Sequence, residues 1–265
     1  MYLHHDIKKH LSTMQPVFDQ MMALQGECFR HQEGRLTQRV MLGGKSYFIK
    51  QHRGVGLREI LKNILHLRWP VVSAKNEWCA IDKLQALGVP TPVVVAFGRR
   101  GVNPIHLESF ILMEELAPVV SLEDLCKTWL KTPPSFVLKC RLIKEVAHIA
   151  RTLHSNGLNH RDFYICHFLL DTSHGVEGVN EKSLKLYLID LHRAQIRRLT
   201  PERWIIKDLA GLYFSSKDIG LTRRDLYRFM KAYKAKSLRD MWKLEKIFWQ
   251  KVGARGEQLY RDHTK

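Results

Sequence analysis

Short apolar runs bounded by turn residues mark the first third of the chain, and apolar residues fall at helical spacing over most of the remainder. Leu36–Leu42 and Ser46–Gln51 read as strands, and Gly43-Gly44 between them is a good two-residue hairpin turn. Residues 25–52 therefore predict a three-strand meander, preceded by a polar helical lead-in at 1–24. Residues 56–68 place Leu57, Ile60, Leu61, Ile64 and Leu65 at i, i+3, i+4 spacing, which predicts a helix. Ser73 can cap a second helix, Ala74–Leu87, stopped by Gly88 and Pro90. Val93–Phe97 and Ser109–Met113 predict two further strands.

Beyond a short connector, Glu114–Pro118, helices dominate. Ser121 with Glu123-Asp124 starts one. A long helix is expected at about 136–155, with Leu142, Val146, Ile149, Ala150 and Leu153 on its buried face and Gly157 at the position after its cap. Phe168–Leu170 and Leu186–Ile189 predict a pair of short strands around the polar loop Asp171–Ser183. Helices follow near 204–215, 222–234 and 237–252. The expected architecture is α+β and two-lobed: a small β-rich N-terminal lobe at 1–113, a connector at 114–118 and a larger helical lobe at 119–265.

Composition narrows the setting. No run of about 18 apolar residues occurs and the N-terminus lacks an apolar signal core, so no membrane span or leader is expected. Five cysteines are scattered without a CxxC pair, which predicts reduced thiols in a cytoplasmic protein. The net charge is +17, and residues 191–265 carry +11 of it, with 19 Lys or Arg against 8 Asp or Glu. A field of that sign recruits polyanions: nucleic acid, anionic lipid or an acidic protein. The basic segments lack interleaved exposed aromatics, which argues against nucleic acid.

Candidate chemistry centres on His160-Arg161-Asp162, which ends a helical run and opens an apolar one. That is the layout of a kinase catalytic loop, whose Asp accepts the proton of the attacking hydroxyl. Three other Arg-Asp pairs occur, so context decides. Lys50 ends the strand Ser46-Tyr-Phe-Ile-Lys50, where it would meet nucleotide phosphates. Glu77, 27 residues later on a helix, would hold it extended by an ion pair. Asp190 ends Leu186-Tyr-Leu-Ile-Asp190 and matches the Asp that chelates Mg²⁺ in kinases. His167 stands where that pattern has a metal-binding Asn, and Leu191-His192 stand in place of Phe-Gly. Asp208 would support the backbone of the catalytic loop. The phosphate-covering turn, Arg30-His-Gln-Glu-Gly-Arg35, has one glycine instead of three, so Gly34 would offer backbone N–H groups and Arg35 charge.

Taken together, Leu24-Gln-Gly26, Lys45-Ser-Tyr-Phe-Ile-Lys-Gln-His-Arg-Gly54, Asn159-His-Arg-Asp-Phe-Tyr-Ile-Cys-His-Phe-Leu-Leu170, Ile189-Asp-Leu-His-Arg-Ala-Gln195 and Lys207-Asp-Leu-Ala-Gly-Leu-Tyr-Phe-Ser215 resemble the lipopolysaccharide core heptose(I) kinases of Gram-negative bacteria. The likeness runs over roughly residues 22–250. Phe163 stands where that family often has Cys. The resemblance implies a protein-kinase-like fold and phosphorylation of the first inner-core heptose at its 4-hydroxyl, with ATP and Mg²⁺. It implies Asp162 as base, Lys50 with Glu77 on the phosphates, Asp190 and His167 at the metal, and backbone groups of Glu114 and Leu116 at the adenine edge. The partners it implies are a heptosyl-Kdo-lipid A acceptor and an anionic membrane surface, which the enzyme would meet peripherally on the inner face of the inner membrane. The basic surface leaves room for an acidic protein as well.

Two other classes remain open at this level. A kinase acting on another substrate would want an acidic cleft for a cationic antibiotic, or a longer segment between Asp190 and Asp208 for a peptide. A catalytically weak binding protein would not need Lys50, Glu77, Asp162 and Asp190 together.

Overall fold

The structure is a computed structural model, and it describes all residues except Glu33, 55–72, 104–105, 177–183, 236–238, 240–242 and Lys265. The helix expected at 56–68 lies outside the described residues. The chain divides into two compact units. Met1–Asp82 joins Pro92–Leu116 in the first, and Lys83–Thr91 joins Ala117–Lys265 in the second.

The first unit is built on a six-stranded antiparallel sheet. Its strands are β1 (Tyr2–Leu3), β2 (Glu27–Gln32), β3 (Arg35–Leu42), β4 (Lys45–Arg53), β5 (Val94–Arg100) and β6 (Glu108–Glu114), in the order β1-β5-β6-β4-β3-β2. Alternation along β4 buries Tyr47, Ile49 and Gln51 on one face and turns Lys50 to the other, opposite Thr37 of β3 and Ile111 of β6. The buried face packs with Ile7, Met21, Phe110 and Leu112, all essentially inaccessible. Each such side chain contributes roughly 1.5–3 kcal/mol relative to an exposed one. Gln38 and Gln51 lie in this core without penalty. The Gln51 amide donates to the Met21 carbonyl at 2.8 Å, and Gln38 donates to Gln51 at 3.3 Å.

The lead-in is not purely helical. Short helices α1 (His5–Lys8) and α2 (Val17–Ala23) follow β1, which pairs Tyr2 with Phe97 and Leu3 with Ala96. Helix α3 (Lys75–Ala86) begins where the Ser73 hydroxyl accepts from the Lys75 amide at 3.2 Å. It buries Ile81 and Leu84, and its Trp78 stacks on Phe97 with ring centroids 4.4 Å apart.

The second unit is mainly helical, with β7 (Val119–Ser121), β9 (Phe168–Asp171) and β10 (Leu186–Leu188) in a small antiparallel sheet and β8 (Leu158–Asn159) paired with β11 (Gln195–Ile196). Helix α4 (Leu122–Cys126) is capped by Ser121, whose hydroxyl accepts from Asp124 at 3.0 Å. Helix α5 (Phe136–Ser155) buries the five residues expected of it. It ends at Gly157, whose φ of +77° and backbone packing leave no space for a Cβ, which would lie 2.0 Å from the Arg197 carbonyl. Helices α6 (Glu202–Ser215) and α7 (Arg223–Lys234) follow, the latter opened by a Thr222–Asp225 capping box.

The last helix differs from expectation. The start of the predicted 237–252 segment, with Leu238, Met241 and Trp242 of its apolar stripe, falls outside the described residues. The described helix, α8, runs from Lys246 to His263 after Glu245, which is not helical at φ −128° and ψ 13°. It passes through Gly253 and Gly256. A Cβ at Gly256 would lie 2.5 Å from the Tyr213 ring, so that glycine permits close approach of α8 to α6 and does not end the helix.

Candidate active site

In the first unit, Lys50 Nζ donates to Glu77 Oε1 at 2.6 Å. The Glu77 side chain is 2% exposed and that of Lys50 19%. Loss of one member of so buried a pair typically costs about 3–5 kcal/mol, because the other charge stays desolvated. Gly34 takes φ +73° at the β2–β3 turn, and its carbonyl accepts from the Arg53 amide at 2.8 Å. At the end of β6 the Glu114 amide donates to the Val93 carbonyl at 2.9 Å.

In the second unit, β8 leads into the catalytic-loop segment and β9 leads out of it. Asp208, fully buried on α6, accepts from the backbone amides of His160 at 2.6 Å and Arg161 at 2.9 Å. It also meets His154 Nε2 at 3.4 Å, and His154 Nδ1 lies 2.9 Å from the Tyr233 hydroxyl. Asp208 thus holds Arg161 in a left-handed conformation, φ +76°, which a non-glycine residue adopts at a cost of about 1–3 kcal/mol. His160 is fully buried. Burial pushes its imidazole below the ordinary histidine value, so it is neutral, and its Nε2–H donates to the Ile189 carbonyl at 3.0 Å.

Asp162 is fixed from one side. Arg193 donates to its Oδ1 at 2.7 Å, and its Oδ2 accepts no hydrogen bond from the described residues. The Asp162 backbone carbonyl accepts from His167 Nδ1 at 2.7 Å. A carbonyl only accepts, so a neutral His167 keeps its lone pair on Nε2, which lies 3.7 Å from Asp190 Oδ2. Two acceptors facing each other call for a cation or a proton between them. The donor set, a carboxylate oxygen and an imidazole nitrogen, fits a divalent metal ion. His192 Nδ1 at 2.8 Å orients the other Asp190 oxygen, and Asp190 sits in the left-handed region at φ +61°, opening a 3₁₀ turn over Leu191–Arg193. Phe163 is buried, edge-on to Phe168 at 5.1 Å.

The structure thus brings Lys50 to Glu77 in one unit, and Asp162, His167 and Asp190 together in the other. The sequence reading missed Arg193 and His192, which clamp the two aspartates. Both lie in the Ile189–Gln195 motif, but a 3₁₀ turn shows no periodicity to mark which side chains face the site.

A strand Lys paired with a helix Glu in the first unit, and in the second a loop Asp following two amides held by a buried helix Asp and another Asp after a strand pair, follow the pattern of protein-kinase-like phosphotransferases, a class that uses ATP. A profile of the Lipopolysaccharide kinase (Kdo/WaaP) family matches residues 19–233. This chain belongs to that family and is a kinase. It is 50% identical over 247 residues to the lipopolysaccharide core heptose(I) kinase WaaP of Escherichia coli, covering 93% of this chain and 92% of that one. It is 46% identical over 252 residues to the enzyme of the same description from Pseudomonas aeruginosa, covering 95% and 93%. A solved structure described as WaaP in complex with acyl carrier protein superposes with a TM-score of 0.83 at 41% identity, covering 97% of this chain and 98% of that chain.

Proposed function

We propose that this chain phosphorylates the first heptose of the lipopolysaccharide inner core at its 4-hydroxyl, with ATP as donor. The reading is carried by its likeness to heptose(I) kinases over more than nine-tenths of its length. Asp162 would accept the proton of the attacking hydroxyl at Oδ2, its carboxylate held in place by Arg193. Lys50, kept extended by Glu77, would contact the nucleotide phosphates. Gly34 and Arg35 would cover them from the β2–β3 turn, and backbone groups of Glu114 and Leu116 would take the adenine edge. Asp190 and His167 would hold Mg²⁺, which when bound neutralises charge on the transferring group. In core oligosaccharide from a strain lacking this gene, mass spectrometry should find one inner-core phosphate missing. An unchanged phosphate count would reject the acceptor.

The same reading places the enzyme at the cytoplasmic face of the inner membrane, against heptosyl-Kdo-lipid A. None of the described helices is long and apolar enough to cross a membrane. Leu244 and Ile247 are 74% and 68% exposed beside exposed Lys243 and Lys246, a mixture that suits an anionic lipid surface. Binding to anionic but not neutral vesicles, weakened by salt, is the expected result. Equal binding to neutral vesicles at high salt would reject it.

The acidic partner is proposed to be an acyl carrier protein. A cavity of about 400 Å³ in the second unit, lined by Trp129, Leu142, Leu226 and Trp249 with Arg223 and Lys246 beside them, has the size and polarity for a fatty acyl chain. Native mass spectrometry should detect a complex with acyl-loaded carrier protein, and Leu226→Arg should weaken it. Undiminished binding of the acyl-loaded carrier by that variant would remove the cavity from the account.

A further inference from the structure

Helix α6 presents Arg203, Trp204 and Lys207 within about one turn. The Trp204 ring has four cationic groups around it: Lys207 Nζ at 5.2 Å, and the guanidinium carbons of Arg161 at 5.4 Å, Arg203 at 5.5 Å and Arg197 at 5.6 Å from its centroid. An indole face attracts a cation, but one ring does not offset mutual repulsion among several. Neutral oxygens occupy Arg197: Asn159 Oδ1 at 2.7 Å and Gln195 Oε1 at 2.6 Å. Arg161, Arg203 and Lys207 have no carboxylate partner among the described residues.

The strain shows in the titration of the group. Burial, then the charges of Arg161, Arg193 and Arg255, lower the Lys207 ammonium from its ordinary value against an opposing pull from Asp162, and burial with Arg193 and Arg197 outweighs Asp162 and Asp208 in lowering Arg161. Two buried donors, Trp204 Nε1 and Arg161 Nε, lack an acceptor. Like charges gathered without a contacting carboxylate among the described residues, with donors unspent, are what an anion site looks like before its ligand arrives. Its position relates it to the chemistry. Arg161 directly precedes Asp162, and Arg193, whose charge acts on both Arg161 and Lys207, donates to Asp162 Oδ1.

We infer that Arg161, Arg197, Arg203 and Lys207, gathered on Trp204, form the subsite for the carboxylate of the acidic sugar bonded to the heptose that is phosphorylated. The inference rests on the proposed acceptor. It makes these cations positioning and specificity residues, which hold the neighbouring sugar while Asp162 addresses the hydroxyl. The phosphates at the lipid end of the acceptor share the anionic chemistry, so the test separates the two sources.

Arg203→Gln and Lys207→Gln, in the full-length enzyme, are assayed with three acceptors: native, with the acidic-sugar carboxyl converted to a carboxamide, and with the lipid phosphates removed. Each variant should raise KM for the native acceptor by about tenfold and leave KM for ATP at the wild-type value, since a hydrogen bond to a charged group is worth that factor or more. The carboxamide should impose a similar rise on the wild-type enzyme and add little to either variant. Arg203→Lys should restore part of the loss. A wild-type acceptor KM in both variants overturns the assignment. So does an undiminished variant defect on the carboxamide, and a defect that disappears on the dephosphorylated acceptor assigns the cluster to lipid phosphate instead. If the wild-type enzyme phosphorylates none of the three, the heptose reading has failed. The cluster is then judged by calorimetric binding of the acidic-sugar oligosaccharide to wild-type and Lys207→Gln protein, where equal affinity overturns it and weaker binding by the variant supports it.

Discussion

Asp208→Ala should damage stability and turnover together. The side chain is fully buried and accepts from two backbone amides, those of His160 and Arg161. Alanine leaves both donors buried and unpaired. Each costs about 1–3 kcal/mol, so the second unit should lose roughly 2–6 kcal/mol. Asp208→Asn retains one carbonyl oxygen and should fall between the two. The lost bonds also hold Arg161 at φ +76°, so the loop should relax toward ordinary backbone geometry and carry Asp162 with it. A displacement near 1 Å at a reacting group can cost about 100-fold in rate. Urea denaturation followed by tryptophan fluorescence measures the first effect. Initial rates with saturating ATP and acceptor measure the second. A destabilisation under about 1 kcal/mol with unchanged kcat would refute the assigned role of these two hydrogen bonds.

Asp162→Asn should fold normally and lose about 10²- to 10⁴-fold in kcat, and near-normal turnover would remove it as the base. Lys50→Ala should lower kcat/KM for ATP and leave Glu77 buried without its partner, costing about 3–5 kcal/mol in urea unfolding; wild-type values of both would reject the phosphate assignment. His167→Asn should keep more activity than His167→Ala and respond to added Mg²⁺, whereas equal tolerance of both would leave His167 with a packing role alone. Asp225 has a folded pKa below the ordinary carboxylate value because hydrogen bonds from Thr222 and the Lys139 charge outweigh the upward push of burial. Its contribution is therefore complete above the unfolded pKa of about 3.9 and lost as pH falls through the lower folded value. The stability difference between wild-type and Asp225→Asn protein should shrink below about pH 4, and a difference constant from pH 6 to pH 3 would contradict this.

Much of the architecture was legible because it is local. The β3–β4 hairpin follows from two short strand-like runs on either side of Gly43-Gly44, and helix α5 from one apolar stripe between Ser135 and Gly157. What escaped depends on distant contacts. Strand β1 is two residues long and exists through its pairing with β5. The run of α8 on to His263 past the expected end at 252 is supported at Gly256, where α6 packs against the bare backbone. Asp162, Lys50 and Asp190 stood out because motif position and strand ends coincide. Arg193 did not, since its contact with Asp162 spans 31 residues and depends on a 3₁₀ turn. The basic balance was plain from composition, but the gathering of cations on Trp204 required α6, β8 and β11 to be brought together.

Helix α6 carries buried Asp208 within about one turn of exposed Arg203 and half-buried Lys207, so under the proposed subsite one rod serves two tasks. Substitutions at exposed Arg203 sit where changes usually cost within about 0.5 kcal/mol, whereas the inward carboxylate has no substitute of equal reach. Under that proposal, a lineage confronted with a differently charged glycan could retune its grip by swapping Arg203 and leave the loop held by Asp208 undisturbed. For an engineer, the outward positions of this helix are the natural place for a substrate-switching library.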